Sequence, residues 1–309
     1  MAAGPYIGAA VDVGSNSVHL LVCRLHDGRL EVLRDESVLL GLGDVVDREG
    51  SLTAPARAAL VGSLRSYRDA ARAIGAQQVT LIGTEPLRRA GNSGEIVTEV
   101  QHEVGLPLHV LSEHEEGLLT YIGVTGGRPQ SRSLLVVDIG GGSSEIVLFE
   151  VSRPLQVLSL PSGSARLSRG IVEHDPPTAD EFDGLLLAAH RLADRLPEAH
   201  PARAVFVGGT ATNLARLGPL RRDGLALAYR WLGSLTAAQL AKRFGVNLRR
   251  AGQLPAGAAI VDALLAHYTL DGAKVSEASL RDGAIIAAAR LGADWPGRLA
   301  ELASVSAWP

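Results

Sequence analysis

Val11-Asp12-Val13-Gly14-Ser15-Asn16-Ser17 and Val137-Asp138-Ile139-Gly140-Gly141-Gly142-Ser143 are one phrase written twice. Laying Asp138 on Asp12 (138 − 12 = 126) sets Ser143 on Ser17 and Ile146-Val147-Leu148 on Leu20-Leu21-Val22 without a gap. Each copy is a β-prone apolar run, an acidic-glycine turn and a second apolar run. One such turn alone reads as an ordinary hairpin. Two in register, with matching apolar flanks, read as an internal duplication and predict two similar lobes facing each other across a cleft.

Working outward, Tyr6–Val13 and Val18–Arg24 read as strands, Asp27-Gly28 as a hairpin turn, and Leu30–Leu33 as the strand that pairs back. Thr53 and Pro55 open a long helix that Gly75 closes. Val79–Ile82 is a strand ending at Gly83-Thr84, Gly94–Val104 a helix and Leu108–Leu111 a short strand. Ser112 and Glu115 form a capping box, as do Thr178 and Glu181, while Thr236 and Gln239 cap a further helix. In the second half Val157–Leu160 and Ala204–Val207 are strands, and a last helix begins near Ser279. The alternation predicts an α/β protein. The breaker-rich linker Gly126–Ser133 divides it into lobes 1–125 and 126–309, the last helix being free to pack back on the first lobe.

The chain of 309 residues is long enough for a substantial core. With 46% apolar and 20% charged residues it is an ordinary globular composition, not a disordered or fibrous one. A net charge of −3 argues against nucleic acid as a partner and confines any polyanion site to a local patch. The lone Cys23 excludes an internal disulfide and a cysteine-based metal cluster, and reads as a buried, inert thiol in a reducing cytoplasm. No export signal or membrane-length apolar run is expected.

Glycine lets backbone approach a ligand, and consecutive N–H groups in such turns make an anion nest. Gly14, Ser15, Asn16 and Ser17 in one copy, and Gly140, Gly141, Gly142 and Ser143 in the other, are therefore phosphate-binding candidates. Asp12 and Asp138 would repel phosphate alone. They make sense as ligands, direct or through water, of a Mg²⁺ ion that bridges phosphate oxygens. Gly208-Gly209-Thr210, between a buried strand and a helix, is a third phosphate or nucleoside loop. Arg88 and Arg89 follow the strand end at Gly83-Thr84, and Arg166 follows Ser162-Gly163-Ser164; Arg89 reads as a solvated surface residue. Glu115 is explained by its capping box. Glu116 is not, and is the candidate general base that deprotonates an attacking water. The histidines are scattered without metal-ligand spacing and read as structural or surface residues.

These motifs together resemble the exopolyphosphatase and guanosine pentaphosphate phosphohydrolase (Ppx/GppA) family, over essentially the whole chain. Asp12–His19 resembles its first phosphate loop, Asp138–Glu145 its second, and Gly83–Arg88 the segment whose arginine contacts phosphate. Ser112–Leu119 resembles the helix start whose second glutamate, here Glu116, is the base, and Ser279–Gly283 a terminal signature. The resemblance implies two actin-like (ribonuclease H-like) lobes of the sugar kinase, heat-shock chaperone and actin superfamily. It implies Mg²⁺ near Asp138 and Glu145, a cytoplasmic homodimer, and release of terminal orthophosphate from inorganic polyphosphate, with guanosine pentaphosphate as the alternative substrate. Glu113, Gly117 and Leu118 depart from the family's usual glycine, alanine and arginine, leaving the base in place but bearing on chain-length preference and rate. Longer relatives add C-terminal helical domains that help hold long polyphosphate, so shorter chains are the expected substrates. A kinase or ATPase of the same superfamily shares the loops but needs an adenosine pocket, and a non-hydrolysing sensor would not need Glu116.

Overall fold

The computed structural model describes residues 6–26, 28–151 and 153–304. In chain order the strands are β1 (Tyr6–Val13), β2 (Ser17–His26), β3 (Arg29–Leu39), β4 (Gln78–Gly83), β5 (Leu108–Val110), β6 (Leu134–Ile139), β7 (Ser144–Phe149), β8 (Gln156–Leu160), β9 (Ala204–Val207) and β10 (Lys274–Val275). The helices before β6 are α1 (Leu42–Glu49), α2 (Ala54–Ala73), α3 (Glu85–Arg89), α4 (Ser93–Val104) and α5 (Glu113–Thr125). Between β8 and β10 come α6 (Ser164–Ser168), α7 (Ala179–Ala193), α8 (Gly208–Leu214), α9 (Arg222–Leu232), α10 (Ala237–Phe244), α11 (Leu248–Ala251) and α12 (Leu254–His267). The chain closes with α13 (Leu280–Leu291), a 3₁₀ segment (Gly292–Arg298) and α14 (Leu299–Ser304).

The duplication read from the two loops is realised strand for strand. One sheet has the order β3-β2-β1-β4-β5, and the other, read in the same sense, β8-β7-β6-β9-β10. In each, an antiparallel meander (β1-β2-β3, β6-β7-β8) is extended on its first strand by parallel strands reached through helices. β1 and β6 are the central strands, which is why they are almost continuously apolar: Ala9 to Val11 and Leu134 to Val137 are at most 1% exposed. Asp12 and Asp138 are the penultimate residues of these two strands.

The described residues divide into two compact units, 6–129 with 278–304, and 130–277. The boundary thus falls near the linker, a few residues past 126, and residues from 278 onward belong to the first unit. The reason is the packing of α13 against α5 and β1. The two helices meet at glycines: a Cβ on Gly123 would lie 2.2 Å from Ser279 O, and one on Gly283 would lie 1.9 Å from Leu119 O. Only hydrogen fits at either point.

Several elements exceed the sequence reading. β3 runs to Leu39 rather than Leu33, because its alternating charged residues sit on a half-solvated edge strand, with Glu31 paired to Arg24 at 2.7 Å. Asp27 of the expected turn lies outside the described residues, although His26 and Arg29 pair across it. α12 has no amphipathic period to announce it, being buried on nearly every side in the core of the second unit. The capping boxes at Ser112/Glu115, Thr178/Glu181 and Thr236/Gln239 form, and Ser279 with Asp282 adds a fourth at the start of α13. Burial pushes the Cys23 thiol up to about 12, leaving it protonated and unreactive. Among the described residues no helix is long and apolar enough to cross a membrane.

Gly283→Ala is expected to cost the first unit about 2 kcal/mol through overpacking against Leu119 O. Gly94→Ala on α4, where a Cβ meets nothing within 4 Å, is the control and should be neutral or stabilising in urea denaturation. Equal midpoints for the two variants would contradict the close approach of α5 and α13.

Candidate active site

In the first unit the β1–β2 turn is closed by Gly14 N–H donating to Ser17 O at 3.1 Å. Its carbonyls are tethered from outside: Ser15 O accepts Gly43 N–H at 2.9 Å, and Asn16 O accepts Leu40 and Gly41 N–H at 3.2 and 3.0 Å. In a trans peptide the next N–H points opposite the carbonyl. Anchoring these oxygens therefore turns the N–H groups of Asn16 and Ser17 toward the concave side of the turn, the arrangement an anion needs. Ser15 Oγ donates to Glu85 Oε2 at 2.8 Å, and Thr84 Oγ1 to Val13 O at 3.0 Å, joining the turn to the start of α3.

Ser17 Oγ lies 2.5 Å from His19 Nε2, and Ser17 is 4% exposed. The sequence reading left His19 among structural or surface histidines; the structure sets it against Ser17 in the first turn. It stands directly across the ladder from Asp12. The signal was present: the same offset that aligns the loops places His19 over Glu145 (19 + 126 = 145).

Glu116 lies one turn into α5, its N–H bonded to Ser112 O at 3.0 Å, and is 4% exposed. Its Oε1 is ion-paired with Arg88 Nη1, which also donates to Leu111 O at 2.6 Å. The guanidinium thus neutralises a carboxylate that burial would otherwise make costly. The structure brings the predicted base and the predicted phosphate-contacting arginine together. Glu113, at the departure from family glycine, places a second carboxylate oxygen 3.9 Å from Arg88 Nη2. Arg89 is exposed yet not merely solvated, since it pairs with the buried Glu85 and with Asp47 at 2.7 Å.

The second unit repeats the turn. Gly140 N–H donates to Ser143 O at 3.0 Å. Gly140 O accepts from Ser164 N–H at 2.9 Å, and Gly141 O from Ala165 and Arg166 N–H at 3.0 Å each. The same peptide logic aims the Gly141 and Gly142 N–H groups together on the opposite side. Gly163 permits this clamp, for a Cβ there would stand 2.3 Å from Gly140 O. Asp138 faces Glu145 across the β6–β7 ladder, so both carboxylates project from one face of the sheet. Gly208 has φ +83°, and a Cβ on it would meet Asp138 Oδ1 at 2.2 Å; this glycine makes room for the carboxylate. Gly209 lies under the guanidinium of Arg250, and Thr210 Oγ1 bonds Ser164 Oγ at 3.1 Å, so the third loop is knitted to the second. Burial lowers the Arg250 guanidinium below its usual value.

Two hard oxygen donors on one sheet face suit Mg²⁺, which binds through one or two carboxylates and completes its shell with water and phosphate oxygens. Among the described residues no cluster of three or more His, Cys, Asp or Glu could hold a metal. Asp138 and Glu145 fit that role. Asp12, opposite a histidine, lacks the second carboxylate.

The Ppx/GppA phosphatase family model matches residues 21–290. The chain belongs to this family. It is a phosphatase, with two lobes of the actin-like ATPase superfamily fold. It is 30% identical over 298 residues to Exopolyphosphatase 1 of Mycobacterium tuberculosis, covering 89% of this chain and 86% of that one. It is 27% identical to the guanosine-5'-triphosphate,3'-diphosphate pyrophosphatase of Vibrio cholerae, over 90% of this chain but 58% of that protein. The crystal structure of the Aquifex aeolicus Ppx/GppA family member superposes with a TM-score of 0.81 at 27% identity, covering 91% of this chain and 97% of that one.

Arg88→Ala leaves the Glu116 charge buried without its guanidinium and should cost about 3 kcal/mol of stability. The double variant Arg88→Ala/Glu116→Gln should be the more stable of the two in thermal and urea denaturation. A single variant with unchanged midpoints would show that the pair does not form in solution.

Proposed function

We propose that this Ppx/GppA protein releases terminal orthophosphate from inorganic polyphosphate, with Glu116 as the general base. The observation that carries the base assignment is that Glu116 is a buried carboxylate beyond the needs of its helix cap, held against Arg88. The relative named Exopolyphosphatase 1 supports the substrate. Gly14, Ser15, Asn16 and Ser17, and Gly140, Gly141, Gly142 and Ser143, receive phosphate oxygens through aimed N–H groups and hydroxyls. Arg88 adds a positive charge where the transferred group gathers negative charge. Gly208, Gly209 and Thr210 brace the second of these loops and complete the phosphate-binding set. Glu116 takes the proton of an attacking water, and the cleaved phosphoanhydride bond leaves its electron pair on the oxygen of the shortened chain. Asp138 and Glu145 would hold Mg²⁺, with Asp12 the weaker donor; the ion, when bound, offsets charge on the phosphate oxygens.

The relative from Vibrio cholerae makes guanosine pentaphosphate the second reading. The lone buried Cys23 supports a reducing cytoplasm as the compartment, and the family resemblance supports a homodimer.

Phosphate release by the purified protein on polyphosphate, guanosine pentaphosphate and ATP tests the reading. Polyphosphate should be the best substrate, activity should vanish in EDTA and return with Mg²⁺, and ATP should be a poor one. Glu116→Gln should lower kcat by about 10²–10⁴-fold with KM little changed. Full activity in that variant would refute the base. Asp138→Asn should raise the Mg²⁺ concentration needed for half-maximal rate, and an unaltered requirement would move the metal elsewhere.

A further inference from the structure

Between Arg216 and Arg250 the chain carries eight Arg or Lys residues and a single acidic one, Asp223, in a protein whose net charge is −3. The second unit therefore has a basic segment that its composition as a whole does not announce. In the first unit Arg24, Arg57, Arg65, Arg68 and Arg89 all meet carboxylates within 3.0 Å. By contrast, among the described residues no carboxylate pairs with Arg216, Lys242 or Arg243. Unpaired cations held near one another raise the local potential and attract a polyanion.

These side chains converge in space. Arg216 donates to Gly245 O at 2.6 Å, which fixes it beside the end of α10 where Lys242 and Arg243 stand. Arg243 lies 4.0 Å over the ring of Trp231, so its guanidinium is held on a platform and not free to wander. α10 packs on α11, and from α11 Arg250 reaches back over Gly209 at the strand-end loop. Arg250 thus stands at the Gly209 loop, and Arg216, Lys242 and Arg243 stand at the end of α10, which packs on the helix that carries Arg250.

We propose that this α10–α11 face, with Arg216, is an anion track that holds the part of a linear polyphosphate lying beyond the reacting end. A nucleotide would place its base and ribose here and gain nothing from successive cations. A uniform chain of phosphates matches them one after another. This rests on the polyphosphate reading above. It also runs against the expectation of a preference for short chains, because the track supplies within the second unit a grip on longer ones.

The test separates binding from turnover. End-labelled long-chain polyphosphate is titrated in EDTA against the wild type and against Arg216→Gln/Lys242→Gln/Arg243→Gln, with tripolyphosphate hydrolysis measured in parallel in Mg²⁺. The variant should bind the long chain about tenfold more weakly and show a shallower dependence of affinity on salt, since phosphate contacts release counterions. Its tripolyphosphate turnover and melting temperature should match the wild type, and Arg216→Lys/Arg243→Lys should retain the long-chain affinity. Unchanged long-chain affinity in the triple variant, or equal losses on both substrates, overturns the track. So does failure of the wild type to bind long-chain polyphosphate. A protein that hydrolyses only guanosine pentaphosphate yet binds long chains through these residues would keep the track and refute the substrate reading.

Discussion

The ladders that pair Asp12 with His19 and Asp138 with Glu145 decide which face of each sheet carries chemistry. Side chains alternate across a strand, so a slip of one residue in either hairpin would carry these groups to the opposite face and bring apolar residues out in their place. The registers are held by what surrounds them. Central strands are apolar on both faces, and the turn carbonyls are clamped by backbone N–H groups of 40–43 in one unit and 164–166 in the other. The clamps do two things at once: they satisfy the turn carbonyls and they aim the following N–H groups.

Charge is handled in the same local way. Glu85 and Glu116 are each less than a tenth exposed, and each has an arginine from the short helix α3 against it. That five-residue helix therefore neutralises two carboxylates while tying the first loop, through Glu85 and Ser15, to the helix that carries Glu116, through Arg88. In the second unit Asp138 and Glu145 face one another across the ladder, the pair proposed above to hold a cation. The duplicated register explains the asymmetry between the units: one ladder position holds His19 in the first and Glu145 in the second, so only the second presents two carboxylates.

What could be read from sequence was what local rules dictate. Acidic-glycine turns, capping boxes and apolar central strands are set by a few neighbouring residues, and the doubled loop disclosed the architecture before any pairing was known. What could not be read depended on contacts distant in sequence. The Arg88–Glu116 pair joins residues 28 apart, and Arg250 over Gly209 joins α11 to a strand end. β3 was cut short because its charges describe a solvated edge, and α12 was missed because a helix buried all round has no polar stripe. The place of His19 opposite Asp12 was not legible, because an isolated histidine says little until its ladder partner is known.

The interruption of the first unit by residues 130–277 has a consequence for how the chain matures. On the ribosome the strands β1 to β5 emerge early, yet α13, which packs on α5 and β1, is synthesised only after the whole second unit. The second unit is continuous and can close as soon as it has emerged. The first must wait with one side of α5 uncovered, its glycine seam open, until α13 arrives to seal it. Glu116 sits on that same α5, so the helix bearing the proposed base is among the last parts of the molecule to gain its final support.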